Sequence, residues 1–228
     1  MSSTATPRGL VPVQLLGGTP FAGSVRQIPI KASYGTKIYN GDVVGIGTGG
    51  NAGHIVKDTV GSEINPIGVF LGCSYTDPNS SQPTHNNMYP GSISSTDIMA
   101  VVSCDPNCLY EVQATGSLGW ANFGQTIDLA TGTTGNDTTG NSNAKVDHSG
   151  VADAGKLFRI IDMVTKPGSA PDDTYTDIIV MFNPKQHAFT AEDALDLSLI
   201  HISEPTRPER IGGGGWGVKK KKRGGGGG

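Results

Sequence analysis

The chain has 228 residues, 17 of them Lys or Arg and 20 Asp or Glu, for a formal net charge of −3. Its longest uninterrupted apolar runs, Ile98 to Val102 and Ile178 to Phe182, are five residues each, too short for a membrane-spanning helix. Gly, Ser, Thr, Asn and Asp are abundant while Leu, Glu and Lys are scarce, which favours strands joined by turns over helices.

Residues 1–20 form a polar arm containing Pro and Gly, broken by one apolar piece, Val11 to Leu16. Such an arm is expected to be disordered or extended against a neighbouring chain. Met1 to Arg8 lacks the apolar core of a secretory signal, so synthesis in a cytoplasm is expected, with Cys73, Cys104 and Cys108 reduced.

Residues 21–190 read as a β-rich body. Ile28, Ile30, Ala32 and Tyr34 alternate with Gln27, Pro29, Lys31 and Ser33, which predicts a half-buried strand; Pro29 places it at an edge or a bulge. Thr36 to Tyr39, Asp42 to Ile46 and His54 to Lys57 read as further short strands. Ile67 to Tyr75 is apolar and punctuated by Gly68 and Gly72, as in a core strand with a bulge. Residues 77–92 are almost all turn formers and read as a long loop. Asp97 to Ser103 and Cys108 to Ala114 read as a strand pair across Cys104-Asp-Pro-Asn-Cys108, with Cys108, Tyr110, Val112 and Ala114 on one face. Residues 131–143 form another Gly/Thr/Asn loop, and Lys156 to Val164 and Tyr175 to Phe182 read as the last strands. Many short strands at this spacing predict an all-β fold, a small barrel or a sandwich with long loops. Residues 191–196 resemble the start of a short helix capped by Thr190.

The segment from Leu197 to Arg207 resembles the conceptual translation of a transposase-type sequencing adapter. Homopolymer G and A, read as codons, would give the Gly and Lys runs that follow, so 197–228 is expected to lie outside the natural fold. This tail holds seven of the basic residues and two of the acidic ones, leaving 10 basic and 18 acidic, a net of −8. The cluster Lys219 to Arg223 reads as part of the same run rather than as a nucleic-acid patch. A body of that sign is repelled by DNA and by anionic membranes, so neither is an expected partner.

Candidate chemistry is sparse. Gly45-Ile-Gly47-Thr-Gly-Gly50 has the spacing of a dinucleotide fingerprint, but turn and strand residues follow it where a helix is required, so a hairpin is expected. Cys104 and Cys108 bracket a turn, and with only Cys73 left over they do not complete a zinc set. Asp172-Asp173 reads as a solvated turn, and Glu192-Asp193 is its only paired counterpart. Neither places two carboxyl groups in contrasting environments across a cleft, as acid/base catalysis demands. Asn79 and Asn136 sit in glycosylation-type triplets, and loop 131–143 lacks the ordered ligand series of a calcium loop. No cofactor or enzymatic activity is therefore expected. Trp120 and Phe123, in Gly-Trp-Ala-Asn-Phe-Gly, fit a core role first and an interface role if exposed.

Several segments carry a resemblance: Asp42-Val-Val, Pro66-Ile-Gly-Val-Phe-Leu-Gly-Cys-Ser-Tyr-Thr76, Asp97-Ile-Met-Ala-Val-Val, and Tyr110-Glu-Val-Gln-Ala-Thr-Gly. Gly124-Gln-Thr-Ile-Asp-Leu, Thr138-Thr-Gly-Asn-Ser and Ile179-Val-Met-Phe-Asn-Pro-Lys-Gln-His187 belong to the same pattern. Over roughly residues 20–190 their order and spacing resemble head decoration, or cement, proteins of tailed bacteriophages. The resemblance implies a virion structural protein, assembled in the bacterial cytoplasm, that docks in many copies on the major capsid protein lattice and self-associates. It also implies an N-terminal arm that bridges capsomers. A tail- or fibre-associated module that touches host glycans through loops 77–92 and 131–143 is the alternative.

Overall fold

Alternating apolar residues separated by turn formers give short strands and three single 3-10 turns in the computed structural model, which describes residues 4–58, 65–132 and 134–190. All of them lie within the unit Met1–Glu192. In chain order the strands begin with β1 (Val11–Leu15), β2 (Arg26–Pro29), β3 (Val43–Ile46), β4 (Ile55–Lys57), β5 (Asn65–Thr76) and β6 (Pro83–Asn86). They continue with β7 (Met99–Ser103), β8 (Cys108–Gln113), β9 (Thr126–Ile127), β10 (Phe158–Met163) and β11 (Asp177–Phe182). One antiparallel sheet has the order β1-β8-β11-β10-β9. The other runs β2-β7-β5-β3-β4, with β6 also paired to β5. Neither sheet closes on itself, so of the two expected architectures the chain adopts the sandwich.

The pleat of the second sheet divides its side chains between two cores. Val43 and Val69 join Tyr110, Val112, Phe158, Ile160, Ile178, Val180 and Phe182 of the first sheet, filling the space between sheets. Val44 and Phe70, one residue along, point the other way and pack with Ile38, Tyr89, Ile98 and Val102 under the loops. A strand buried on both faces cannot alternate apolar with charged residues, which is why β5 carries no charge and is buried from Pro66 to Phe70. Its register shifts at Val44/Gly45 against β3 and at Phe70/Gly72 against β7, so the expected bulges are present. Gly68 has φ +157°, and a Cβ there would collide with the carbonyl of Ser103; the tight approach of β7 requires a glycine.

Pro29 closes β2 at the sheet edge, as expected, paired with Met99. In the Gly-rich segment 45–50, Gly45 and Ile46 pair with Val56 and Ile55 and the chain then turns through Gly47 to Gly50 into β4, a hairpin. Other expectations are corrected. The segments on either side of Cys104–Cys108 do not pair with each other: β7 belongs to one sheet and β8 to the other, and the turn carries the chain across the sandwich. Thr36 to Tyr39 forms only an isolated bridge, Ile38 to Tyr89, and loop 77–92 contains β6.

From Thr4 onward the N-terminal arm runs extended along its own body. β1 pairs with β8 from Val11 to Leu15. Ahead of it Leu10 is fully buried and its N–H donates to the Gly41 carbonyl at 2.9 Å. Burying that side chain stabilises the docked arm by about 2 kcal/mol. The expected helix start at 191–196 and the tail 197–228 lie outside the described residues.

Candidate docking surface

Trp120 and Phe123 are 57% and 56% exposed, which overturns the core reading and leaves the interface one. Their rings lie 6.4 Å apart, tilted by 41°. A 3-10 turn over Trp120–Asn122 presents them: its tight pitch throws Trp120, Ala121 and Phe123 outward while Asn122 faces the body. The Asn122 side chain anchors that turn. Its Oδ1 accepts from the Gly119 N–H at 3.1 Å and its Nδ2 donates to Gln125 Oε1 at 3.1 Å. Gln125 in turn donates to Asp153 at 3.2 Å, and the Gly124 N–H donates to the Ile160 carbonyl on β10 at 3.0 Å. The knob is thus tied to the first sheet on both sides. Aromatic rings held this way enter an interface with little conformational entropy left to lose.

The flank of the knob is acidic. Asp172 packs against Gly119, where a Cβ would overlap its carboxylate. Its N–H donates to the Leu118 carbonyl at 2.9 Å, and Asp173 Oδ2 accepts from the Ala170 N–H at 3.0 Å. The pair is a turn, as expected from sequence.

A second group of exposed apolar residues was not singled out in the sequence. Leu16, Val25 and Phe189 are 50%, 39% and 49% exposed. Val25 and Phe189 line a cleft of about 530 Å³ together with Arg26, Cys104, Asp105 and Pro106, and Leu16 donates its N–H to the Asn107 carbonyl beside it. Three isolated hydrophobic residues, far apart in sequence, carry no local signal that they share a surface.

One set of ionisable groups converges and is paired. On the outer face of the first sheet, Arg8 and Lys166 both reach Glu111, and Lys166 reaches Asp177 at 3.1 Å. Gln113 completes the group, accepting from the Thr6 N–H and donating to the Thr4 carbonyl. Burial works against the Lys166 charge, but Glu111 and Asp177 outweigh it and raise its pKa. A cavity of about 300 Å³ opens between the N-terminal arm and the sheet, and these matched charges line it.

Loops 77–92 and 131–143 meet over Asn40. The Asn40 amide donates to Asn87 Oδ1 at 2.8 Å, and Asn87 donates to the Thr139 carbonyl and to Asn141 Oδ1 at 3.2 Å each. Asp137 in the second loop is held by Lys37 and Tyr39, both at 2.7 Å; these donors keep its pKa low. Asn136 Oδ1 accepts from the Thr138 and Thr139 N–H groups, so this loop's amide and carboxylate oxygens serve its own fold.

The three thiols are buried and free. Burial pushes Cys73 up to about 12 and raises Cys104 and Cys108 as well. Cys104 belongs to the loop-covered core and Cys108 to the core between the sheets, so the turn that spaces them also separates them. Comparison with protein-family models, with curated proteins and with solved structures finds no match.

Proposed function

We propose that this chain is a virion structural protein, a decoration subunit that docks on the outer shell of a tailed-bacteriophage capsid and has no catalytic role. The observation that carries the reading is the rigid, exposed Trp120/Phe123 knob on an acidic, loop-rich sandwich. Aromatic side chains of this kind dominate interface energetics when they fill a pocket on the partner. A shell under internal pressure is weakest at the seams between capsomers, and a subunit bound across them adds buried area there. Each contact can be modest, because repetition over the lattice and self-association supply avidity. A net charge of −8 on the first 196 residues keeps free copies soluble and away from packaged DNA.

The test is co-sedimentation of the purified protein with capsids lacking it. Binding is expected to saturate at a fixed copy number per particle and to weaken at least ~30-fold in Trp120→Ala/Phe123→Ala, the equivalent of about 2 kcal/mol. Unchanged binding of the double variant would remove the knob from the account.

A second reading, a tail- or fibre-associated glycan module, rests on the meeting of loops 77–92 and 131–143 around Asn40, Asn87 and Asn141. Exposed amides suit sugar hydroxyls. Glycan-array binding lost on Asn87→Ala, with no capsid binding, would favour it.

A further inference from the structure

We propose that His187 is a pH-sensitive latch: as a neutral imidazole it ties residues 183–190 to the start of β5, and on protonation it lets Phe189 leave the cleft beside Cys104. This is independent of the docking reading.

The geometry assigns a single tautomer. His187 is fully buried; its Nε2 lies 3.0 Å from the Ile67 carbonyl, and its Nδ1 lies 3.2 Å from the Phe189 backbone N–H. A carbonyl can only accept, so Nε2 carries the proton; an amide N–H can only donate, so Nδ1 must be bare. A second proton on the ring would point Nδ1–H at the N–H of Phe189. The hydrogen bond would become a repulsion, and a cation would sit in an apolar site against the Phe182 ring, 5.5 Å away between centroids.

The segment it holds is short and has few other ties among the described residues. Ala188 donates its N–H to the Pro66 carbonyl at 2.8 Å, and Asn183 is fixed by Leu157 and Lys156. Among the described residues, Thr190 bonds within the segment, to Pro184 and His187. Phe189 rests on the His187 ring and under the Arg26 guanidinium, 5.5 Å from its centroid. It forms one wall of the cleft in which Cys104 lies.

The charged groups around the ring are few among the described residues. Asp105, in the turn after β7, attracts a proton to it, Arg26 on β2 lies beyond Phe189, and Lys185 is an exposed neighbour in the same segment. Burial prevails over the Ile67 carbonyl and Asp105 and lowers the pKa below its ordinary value. The folded ring therefore takes up its proton less readily than the unfolded one. The tie is complete above the ordinary histidine range and is lost as pH falls through the lowered value.

Hydrogen exchange read at single amides, corrected for intrinsic rates, tests this on the full chain from about pH 7.5 to about pH 4.5. Protection at Ala188 and Phe189 is expected to fall about tenfold per pH unit below the ordinary histidine range, with Ile160 and Val180 still protected. In the same window Cys104, ahead of Cys73 and Cys108, is expected to become reactive towards dithiodipyridine. His187→Gln keeps a donor for the Ile67 carbonyl without titrating, and is expected to abolish the pH dependence. A flat profile at Ala188 and Phe189 in the unmodified protein overturns the latch, whether or not the variant folds. So does an unchanged profile in His187→Gln.

Discussion

Replacing Asp42 with alanine tests the packing logic of the fold at a buried carboxylate that separate segments share. Asp42 is 2% exposed and gathers three separate parts of the chain. Its Oδ2 accepts from Lys57 Nζ and from the Tyr39 N–H, each at 2.8 Å; its Oδ1 accepts from Ser142 Oγ at 2.6 Å. Ser142 Oγ accepts in turn from the Ala144 N–H, and Lys57 also lies 5.3 Å over the Tyr39 ring. Truncation leaves the Lys57 ammonium enclosed with its side chain 10% exposed and no carboxylate. Breaking such a buried pair costs about 3–5 kcal/mol, and the orphaned Tyr39 N–H and Ser142 hydroxyl add to it. The expected loss is ~4 kcal/mol by urea denaturation followed by circular dichroism. Adding Lys57→Met removes the stranded charge and is expected to restore about 2 kcal/mol. A loss below about 1 kcal/mol for Asp42→Ala, or no recovery in the double variant, would refute the reasoning.

Other outcomes follow from single contacts. Gly68→Ala is expected to destabilise by more than about 2 kcal/mol in the same assay, because its methyl group meets the Ser103 backbone and no side chain can yield. Trp120→Ala/Phe123→Ala is expected to leave the unfolding free energy within about 0.5 kcal/mol, since both rings are more than half exposed. Asp97 accepts from Ser95 and from the side chain and N–H of Thr76, which lower its pKa to about 2. Its contribution is present above the unfolded carboxylate value and lost as pH falls towards 2, so Asp97→Asn should flatten the acid limb of a stability–pH curve.

Local chemistry explains what could be read from the residues. Gly68 and Gly72 inside an apolar run mark bulges because side chains elsewhere in that run must pack, and Pro29 marks an edge because it cannot donate to a neighbour. The Gly-rich 45–50 segment reads as a hairpin turn for the same local reason. Cys104-Asp-Pro-Asn-Cys108 misleads because a hairpin and a crossing between sheets need the same tight turn. The choice is made by β5 and β11, distant in sequence, which claim β7 and β8 respectively. The arm hides β1 because Pro12 argues against a paired strand and the register with β8 slips between Pro12 and Gln14, while its stability comes from Leu10, the Arg8–Glu111 ion pair and the hydrogen bond from Thr6 to Gln113. Exposure of Trp120 and Phe123 runs against the usual fate of large aromatics. It follows from the flanking glycines and from Asn122, whose inward side chain turns its neighbours out.

The central claim is adhesion to a capsid lattice, and cryo-electron microscopy of particles carrying this chain tests it most directly. The account predicts repeated density of sandwich shape on the outer face of the head, with the Trp120/Phe123 turn against the shell. Density confined to the tail, or no particle-bound copies, would contradict it.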